Sequence, residues 1–244
     1  MSARQKHRGQ HAEDAQLFHS KELPLLNVAV ADLSWLLSRG YPENSSLKLA
    51  GDRYRLTKRQ RKAVLRASCS DAQQAYRQHR DLPPSALQGE KVAIDGYNLL
   101  ITTEVALSGG FIFQCRDSAY RDIASVHGTY RKVQETLPAL KIIGQALQSL
   151  NVAGAYWYLD APVSNSGRLK GFLDELAREQ HFNWEVELVN NPDRAIVANA
   201  ALIPISSDSW VIDHADRWFN LHRYIVTQIP DAMVVRLDGE AAGP

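Results

Sequence analysis

The sequence contains few cysteines and no long hydrophobic run. Its two cysteines, Cys69 and Cys115, are too few and too far apart for a disulfide framework or a zinc cluster. They suit a reducing compartment. No apolar stretch approaches the roughly 18 residues of a membrane span. We therefore expect a cytoplasmic protein that does not insert into membranes.

The sequence also lacks a large net charge and the common nucleotide-binding motifs. Its formal net charge is +1 over 244 residues, so any affinity for nucleic acid must come from local patches. It has neither a Walker A loop nor a Rossmann fingerprint, and no internal repeat. The length suffices for one large domain, or for one ordinary domain and a smaller one.

The chain divides at the linker Asp81-Leu82-Pro83-Pro84-Ser85. Residues 1–20 are polar, and we expect them to form a disordered tail. Residues 21–82 are expected to form a small basic helical domain, and residues 89–244 an α/β domain.

Two helices are predicted in the helical domain, with a loop between them. The first covers Leu25–Leu37 and ends before Gly40. The second begins with a capping box, Thr57 and Gln60, and runs to about residue 79. Residues 42–51 read as the loop.

The start of the second predicted helix is locally basic. Between Gly51 and Arg66, seven cations accompany a single acid, Asp52. Phosphate binding is one interpretation, with Arg59 and Lys62 as nucleic-acid contacts. A solvated helix face is the other.

Three apolar runs each end in an aspartate. These aspartates are Asp95, Asp160 and Asp208, and they follow the runs 92–94, 154–159 and 201–205. In a parallel sheet the carboxyl ends of strands share one edge, which is where ligands bind. Within the first run's turn, Gly96 permits a tight bend, and Asn98 can tie the turn or reach a ligand.

Carboxylates that converge at one edge repel one another unless a cation lies between them. Oxygen ligands favour Mg²⁺ or Mn²⁺, so Asp95, Asp160 and Asp208 are predicted metal ligands. Asp213 follows Asp208 by somewhat over one helical turn and can join the same ion. The alternative is that each aspartate only caps a helix.

Further charged and polar residues are candidates with two interpretations each. Asp117 is expected to be structural, whereas Asp122 is either an ion-pair partner or a further site acid, and His127 is expected to be a surface or core residue rather than a general base. Six others are possible phosphate ligands, or else pairing and helix-capping groups. They are Arg116, Arg121, Ser164, Ser166, Arg168 and Lys170.

Several motifs resemble domain of unknown function family 434. They are residues 37–42 (LSRGYP), 47–54 (LKLAGDRY), 94–98 (IDGYN), 159–164 (LDAPVS) and 207–209 (SDS). A looser similarity is to the PIN-like and NYN nuclease superfamily, on Asp95 with Asn98 and on Asp208 with Asp213. This resemblance implies a three-layer α/β/α fold with a mostly parallel five-stranded sheet of order 3-2-1-4-5.

The same resemblance implies RNA hydrolysis at acids gathered around Mg²⁺ or Mn²⁺. Because dimers are common among PIN-like proteins, it also implies a homodimer. The acid usually found on a helix has Asp122 as its candidate here. We therefore expect a metal-dependent ribonuclease with Asp95, Asp160, Asp208, Asp213 and Asp122 at its site. The alternative is a non-catalytic nucleic-acid-binding protein that keeps the fold.

Overall fold

The computed structural model describes residues 7–9, 11–124 and 128–240. The strands are β1 (Lys91–Asp95), β2 (Phe111–Cys115), β3 (Tyr120–Arg121), β4 (Gly154–Asp160), β5 (Trp184–Val189), β6 (Ile203–Ile205) and β7 (Met233–Leu237). The helices are α1 (Asp14–Leu17), α2 (Leu23–Ser38), α3 (Glu43–Arg53), α4 (Lys58–Ala67), α5 (Asp71–Arg80), α6 (Gly96–Leu107), α7 (Thr136–Ser149), α8 (Ser166–Gln180), α9 (Pro192–Ala198), α10 (Ser209–His214) and α11 (Leu221–Val226).

The main sheet has four parallel strands in the order β5-β4-β1-β6. Its central strand β1 is a short apolar run that is buried on both faces. Val92 and Ile94 pack into the core beneath α6, α7, α8 and α11. Ala93 points to the opposite face and packs with residues of α9 and α10. The predicted α/β class, with helices on both faces of a mostly parallel sheet, is confirmed.

The predicted count of five strands in this sheet is wrong by one. The last predicted strand, β7, pairs in parallel with β2 in a second sheet of order β3-β2-β7. Val235 and Leu237 of β7 are buried there, beside Phe113 and Cys115 of β2. The apolar residues of β7 are therefore buried in the second sheet, and β7 does not join the main sheet.

The helical region, residues 21–82, differs from the prediction in two places. Helix α2 and the capping box of Thr57 and Gln60 are confirmed. The predicted loop over 42–51 is instead mostly helix α3. The predicted long helix is two helices, because Ser70 and Gln73 form a second capping box that begins α5.

The helical region shares its core with the second sheet. Leu26, Leu33 and Val64 of the helices pack in one cluster with Phe113 and Val235 of the sheet. The predicted linker is also tied down, since the Leu82 N–H donates to the Trp218 carbonyl at 2.9 Å. The helices therefore cover a sheet face that would otherwise be exposed.

The prediction of a disordered tail is wrong for the described part of residues 1–20. Arg8 is buried, and its Nε donates to Glu104 of α6 at 2.7 Å. Asp14 of α1 accepts two bonds from Arg59, at 2.5 and 2.6 Å. Because these polar residues find ion-pair partners elsewhere in the chain, the segment packs without an apolar run of its own. Residues 1–6 and 10 lie outside the described residues.

Neither cysteine nor membrane chemistry shapes the described residues. Cys69 and Cys115 are free thiols and both are buried. Within the described ranges, no helix combines the length and apolar character needed to cross a membrane.

Candidate functional site

Asp95 ends the central strand and caps the helix that follows. Its Oδ1 accepts from the Asn98 N–H at 3.4 Å, and its Oδ2 accepts from the Ser206 hydroxyl at 2.9 Å. The residue is buried. Burial raises the pKa of this carboxyl to about 7, and the charges of Asp193 and Asp208 act in the same direction. Asp95 therefore exchanges a proton near neutral pH.

Gly96 brings the first turn of α6 against strand β4. A Cβ at this position would lie 2.5 Å from the Leu159 side chain and 3.0 Å from the Tyr158 carbonyl oxygen. The glycine is required for this close approach, and its φ is not positive. From the sequence we expected this glycine to permit a tight bend, whereas in the structure it is needed because β4 leaves no room for a side chain.

Asn98 joins the two turns that carry Asp95 and Asp208. Its Oδ1 accepts from the backbone N–H and the hydroxyl of Ser207, at 2.9 and 3.0 Å. The sequence predicted that Asn98 ties its own turn or reaches a ligand; its side chain instead bonds to Ser207 of the other turn, and its contact with nucleic acid stays a prediction. The turn after β1 and the turn after β6 are thus held side by side.

Three further aspartates follow the other strands of the main sheet. Asp208 caps α10 by accepting from the Trp210 N–H at 2.8 Å, and Asp160 ends β4. Burial raises the pKa of Asp160. Asp193, in the first turn of α9, has its pKa raised to about 6 by burial and by the charges of Asp208 and Asp160. We call Asp95, Asp160, Asp193 and Asp208 the acidic cluster.

Sequence reasoning missed the role of Asp193. The signal was the order Asn191-Pro192-Asp193 after β5, with Asn191 as helix cap and Pro192 in the first helical turn. Since β5 is parallel to β4, that helix begins at the same edge. All four strands of the main sheet therefore deliver an aspartate there.

A buried hydroxyl without a partner lies near Asp160. The Tyr97 hydroxyl forms no hydrogen bond with the described part of the chain. Burial raises its pKa to about 12, and the charge of Asp160 adds to this. A phenol left unbonded in this way costs roughly 1–3 kcal/mol, which a bound ligand oxygen would relieve.

The acidic cluster fits a divalent cation by chemistry but not by spacing. Its donors are carboxylate oxygens, which Mg²⁺ and Mn²⁺ prefer. However, no three His, Cys, Asp or Glu side chains of the described residues lie close enough together to hold a metal ion. The acids interact through their charges without forming a finished coordination shell.

Asp213 and Asp122 form other contacts. Asp213 accepts from Arg77 Nε at 2.6 Å and Arg77 Nη2 at 2.7 Å, and Gln73 donates to it at 2.9 Å. Asp122 is buried and accepts from the Thr102 hydroxyl at 2.7 Å. The structure does not bring Asp213 or Asp122 into the acidic cluster, because each carboxylate is already bonded to neighbouring helices.

The Arg-Asp dipeptides form buried and local pairs. Arg121 donates to both oxygens of Asp117, at 2.8 and 2.7 Å, so the structural role predicted for Asp117 is confirmed. Burial alone would raise the pKa of Asp117, but Arg121 and Arg77 outweigh it and hold the pKa at about 2. Arg116 donates to Asp71 at 2.6 Å and to the Cys69 carbonyl at 2.9 Å. Arg121, being buried, is not available to a phosphate.

The two basic residues predicted to contact nucleic acid in the helical region also have partners within the chain. Arg59 pairs with Asp14, and Lys62 donates to the Ile123 carbonyl at 2.9 Å. Burial lowers the pKa of Lys62. The structure therefore gives Arg59 and Lys62 packing roles, and their contact with nucleic acid is not supported.

One exposed cation, in the first turn of α8, follows the loop after Asp160. Ser166 is buried and donates to the Ala161 carbonyl at 3.2 Å, and Lys170 donates to the Val186 carbonyl at 2.6 Å. Ser164 is exposed, and its backbone pairs with residues 128–130. Arg168 is exposed in the first turn of α8. His127 lies outside the described residues.

Comparison with known proteins divides the chain into two parts. The family described as "Protein of unknown function (DUF434)" matches residues 25–80 alone, so the predicted resemblance to it holds for the helical region and not for the α/β region. An uncharacterized protein of Methanocaldococcus jannaschii (MJ0935) is 30% identical over 195 residues, covering 77% of this chain and 93% of its own. No solved structure matches. The family described as "Domain of unknown function (DUF5616)" matches residues 84–224, more than half of the chain, and the chain therefore belongs to that family.

Proposed function

We propose that the acidic cluster is the active site of a metal-dependent hydrolase that cleaves phosphodiester bonds in nucleic acid, with RNA as the substrate. The observation that carries the proposal is the convergence of Asp95, Asp160, Asp193 and Asp208 at the carboxyl edge of one parallel sheet. Structural capping needs no such convergence, because a capping aspartate acts on its own helix.

The order of the main sheet supports the proposal. Numbered along the chain, its four strands run 3-2-1-4, which agrees with four positions of the 3-2-1-4-5 order of PIN-like nucleases. The Asp95–Asn98 turn and the Ser207–Asp208 turn lie side by side at the end of strands 1 and 4. The fifth strand is absent from the sheet, so the likeness is partial.

The chain's own residues can hold and transfer a proton at this edge. Asp95 has a pKa of about 7, which suits general acid–base work at neutral pH. Asp193, with a pKa of about 6, lies within its electrostatic reach. Asn98 and Ser206 hold the Asp95 carboxyl in place by hydrogen bonds.

A bound Mg²⁺ or Mn²⁺ would supply charge neutralisation and activation of a water. Because the acids do not form a finished metal site, the proposal requires the ion to enter with the substrate phosphate, which adds oxygen ligands. Asp160 and Asp193 are partly exposed, which leaves their side chains room to rotate toward an ion.

Cleavage of a labelled single-stranded RNA in the presence of Mn²⁺ tests the proposal. Wild-type protein should cut the RNA, and Asp95→Asn and Asp208→Asn should each lower the rate at least a hundredfold. Asp52→Asn is the matched control, since it removes the same charge at an exposed position in α3. Equal rates in Asp95→Asn and Asp52→Asn would contradict the proposal.

The spacing of the acids favours one other function. If the four aspartates do not bind an ion together, the chain is a non-catalytic nucleic-acid-binding protein that keeps the acids. Wild-type protein that binds RNA but leaves it intact with Mn²⁺ present would select this function.

A further inference from the structure

A buried charge network connects the helical region to the segment that carries Asp208. It consists of Arg77 on α5, Asp117 after β2, Arg121 on β3 and Asp213 on α10. Arg77 donates to Asp117 at 2.7 Å and to Asp213 at 2.6 and 2.7 Å. The side chains of Arg77 and Asp117 are 2% and 1% exposed, so this is an interior network.

The network contacts the segment from Ser207 to Asp213 at its beginning. Arg121 Nε donates to the Ser207 carbonyl at 2.7 Å, and Arg121 Nη1 donates to the Arg66 carbonyl of α4 at 3.2 Å. Both oxygens of Asp117 fix the guanidinium from the other side. The Ser207 carbonyl is thereby bound to a side chain that is braced against the helical region.

The network also contacts the segment at its end. Asp213 lies in the last turns of α10 and is bound by Arg77 and Gln73, both on α5. Helix α10 has only six residues, too few to be stable without tertiary contacts. Its first turn is capped by Asp208, so the position of this carboxylate depends on where α10 is held.

We propose that the helical region acts as a positioning element for the acidic cluster, with Arg77 and Asp213 as positioning residues that fix α10 and hence Asp208. This role for the site rests on the proposed function. The contact itself does not, and it can be tested separately. The proposal gives the helical region a task other than binding RNA with its basic residues, of which Arg59 and Lys62 already bond within the chain.

The structure offers a matched pair of variants. Asp213→Ala removes the carboxylate that Arg77 binds through two nitrogens, and leaves the Arg77–Asp117 and Arg121–Asp117 pairs in place. Asp14→Ala removes the carboxylate that Arg59 binds through two nitrogens, at similar distances. Asp14 belongs to α1 and contacts none of the residues of the acidic cluster.

Hydrogen exchange by mass spectrometry reports the position of α10 without any assay of function. In Asp213→Ala, amide exchange in a peptide covering 208–215 should rise at least tenfold, while exchange in β1 and β4 stays at the wild-type rate. In Asp14→Ala, exchange over 208–215 should not change, even where the melting temperature falls. Equal exchange over 208–215 in the two variants, or an increase spread evenly over the chain, would overturn the proposal.

Asp213→Asn keeps the network testable if the alanine variant does not fold. The amide can still accept from Arg77, so the expected rise in exchange is smaller but confined to the same peptide. In the RNA assay, Asp213→Ala should lower kcat with little change in KM, and Asp14→Ala should match wild type. If wild-type protein cuts no RNA, the proposed function fails, whereas the exchange result still decides whether the helical region positions α10.

Discussion

At the scale of single residues, Asp95 combines a structural bond pattern with an unusual proton affinity. Its carboxyl caps α6 and accepts from Ser206, as an ordinary helix cap would. Its pKa of about 7 has a different origin, namely burial next to other carboxylates. The fold therefore keeps the Asp95 carboxyl at a buried position where its ionised form is destabilised.

The first prediction concerns stability against pH in Asp95→Asn. The folded pKa of about 7 exceeds the unfolded value of about 3.9, so the stability contributed by the protonated carboxyl is full below pH 4 and is lost as pH rises to 7. Asn does not titrate. The free energy of unfolding of the variant relative to wild type should therefore rise by about 3 to 4 kcal/mol between pH 4 and pH 8. Urea unfolding at several pH values measures this, and a difference independent of pH would contradict it.

The second prediction concerns Arg168, the exposed cation in the first turn of α8. Arg168→Gln should weaken RNA binding and lower the salt slope of log K by roughly 1, because one phosphate contact is lost. Arg59→Gln should leave the affinity unchanged, since Arg59 is occupied by Asp14. Titration of labelled RNA at several salt concentrations compares them. A larger loss of affinity in Arg59→Gln than in Arg168→Gln would indicate instead that RNA binds to the basic face of the helical region.

Residue roles were predictable from sequence only where they depend on neighbours in the chain. Asp95 and Asp208 end apolar runs, so the parallel-sheet rule locates them. The pairing of Arg77 with Asp213 joins residues 136 positions apart and leaves no local pattern. For the same reason the basic stretch looked like a nucleic-acid surface, although several of its charges bond to groups elsewhere in the chain.

At the scale of elements, the turn between β1 and α6 lies in close contact with β4. Gly96 has no room for a side chain because β4 lies beside it. The start of a helix was predictable where its capping box was recognised in the sequence, as at Thr57 and Gln60. The second capping box, Ser70 and Gln73, was overlooked because the helical pattern continues across it, and so α4 and α5 were merged.

The third prediction compares two glycine substitutions. Gly96→Ala should lower the free energy of unfolding by about 1–3 kcal/mol, because its Cβ overlaps Leu159. Gly171→Ala, in the exposed middle of α8 with nothing within 4 Å, should raise it by about 0.5–1 kcal/mol. Chemical denaturation gives both values. A stabilised Gly96→Ala would show that the turn can move away from β4.

At the scale of the whole molecule, the family boundary near residue 80 does not separate two cores. The helices of residues 25–80 and the second sheet, with β2 and β7, fill one cluster. The sequence indicated an α/β architecture through its apolar runs, but the partner of β7 was not encoded in any local pattern. The pairing of β7 with β2 could be recognised only from the structure, in which β7 also packs against α2.

The fourth prediction follows from that shared core. A fragment of residues 84–240 should fail to unfold cooperatively, because loss of the helices exposes Phe113, Val235 and Leu237. Thermal circular dichroism and binding of a hydrophobic dye measure this. A sharp transition near that of the whole chain would mean that the α/β region folds alone.

The central claim is that the acids at the four strand ends bind one cation together with a substrate phosphate. The most direct measurement is calorimetric titration of Mn²⁺ into wild-type protein and into a variant carrying both Asp95→Asn and Asp208→Asn, each saturated with an RNA oligonucleotide that cannot be hydrolysed, at pH 6 and pH 8. The account predicts binding by wild type that is tighter at pH 8, where Asp95 has released its proton, and that is lost in the double variant. Identical titrations of the two proteins at both pH values would contradict it.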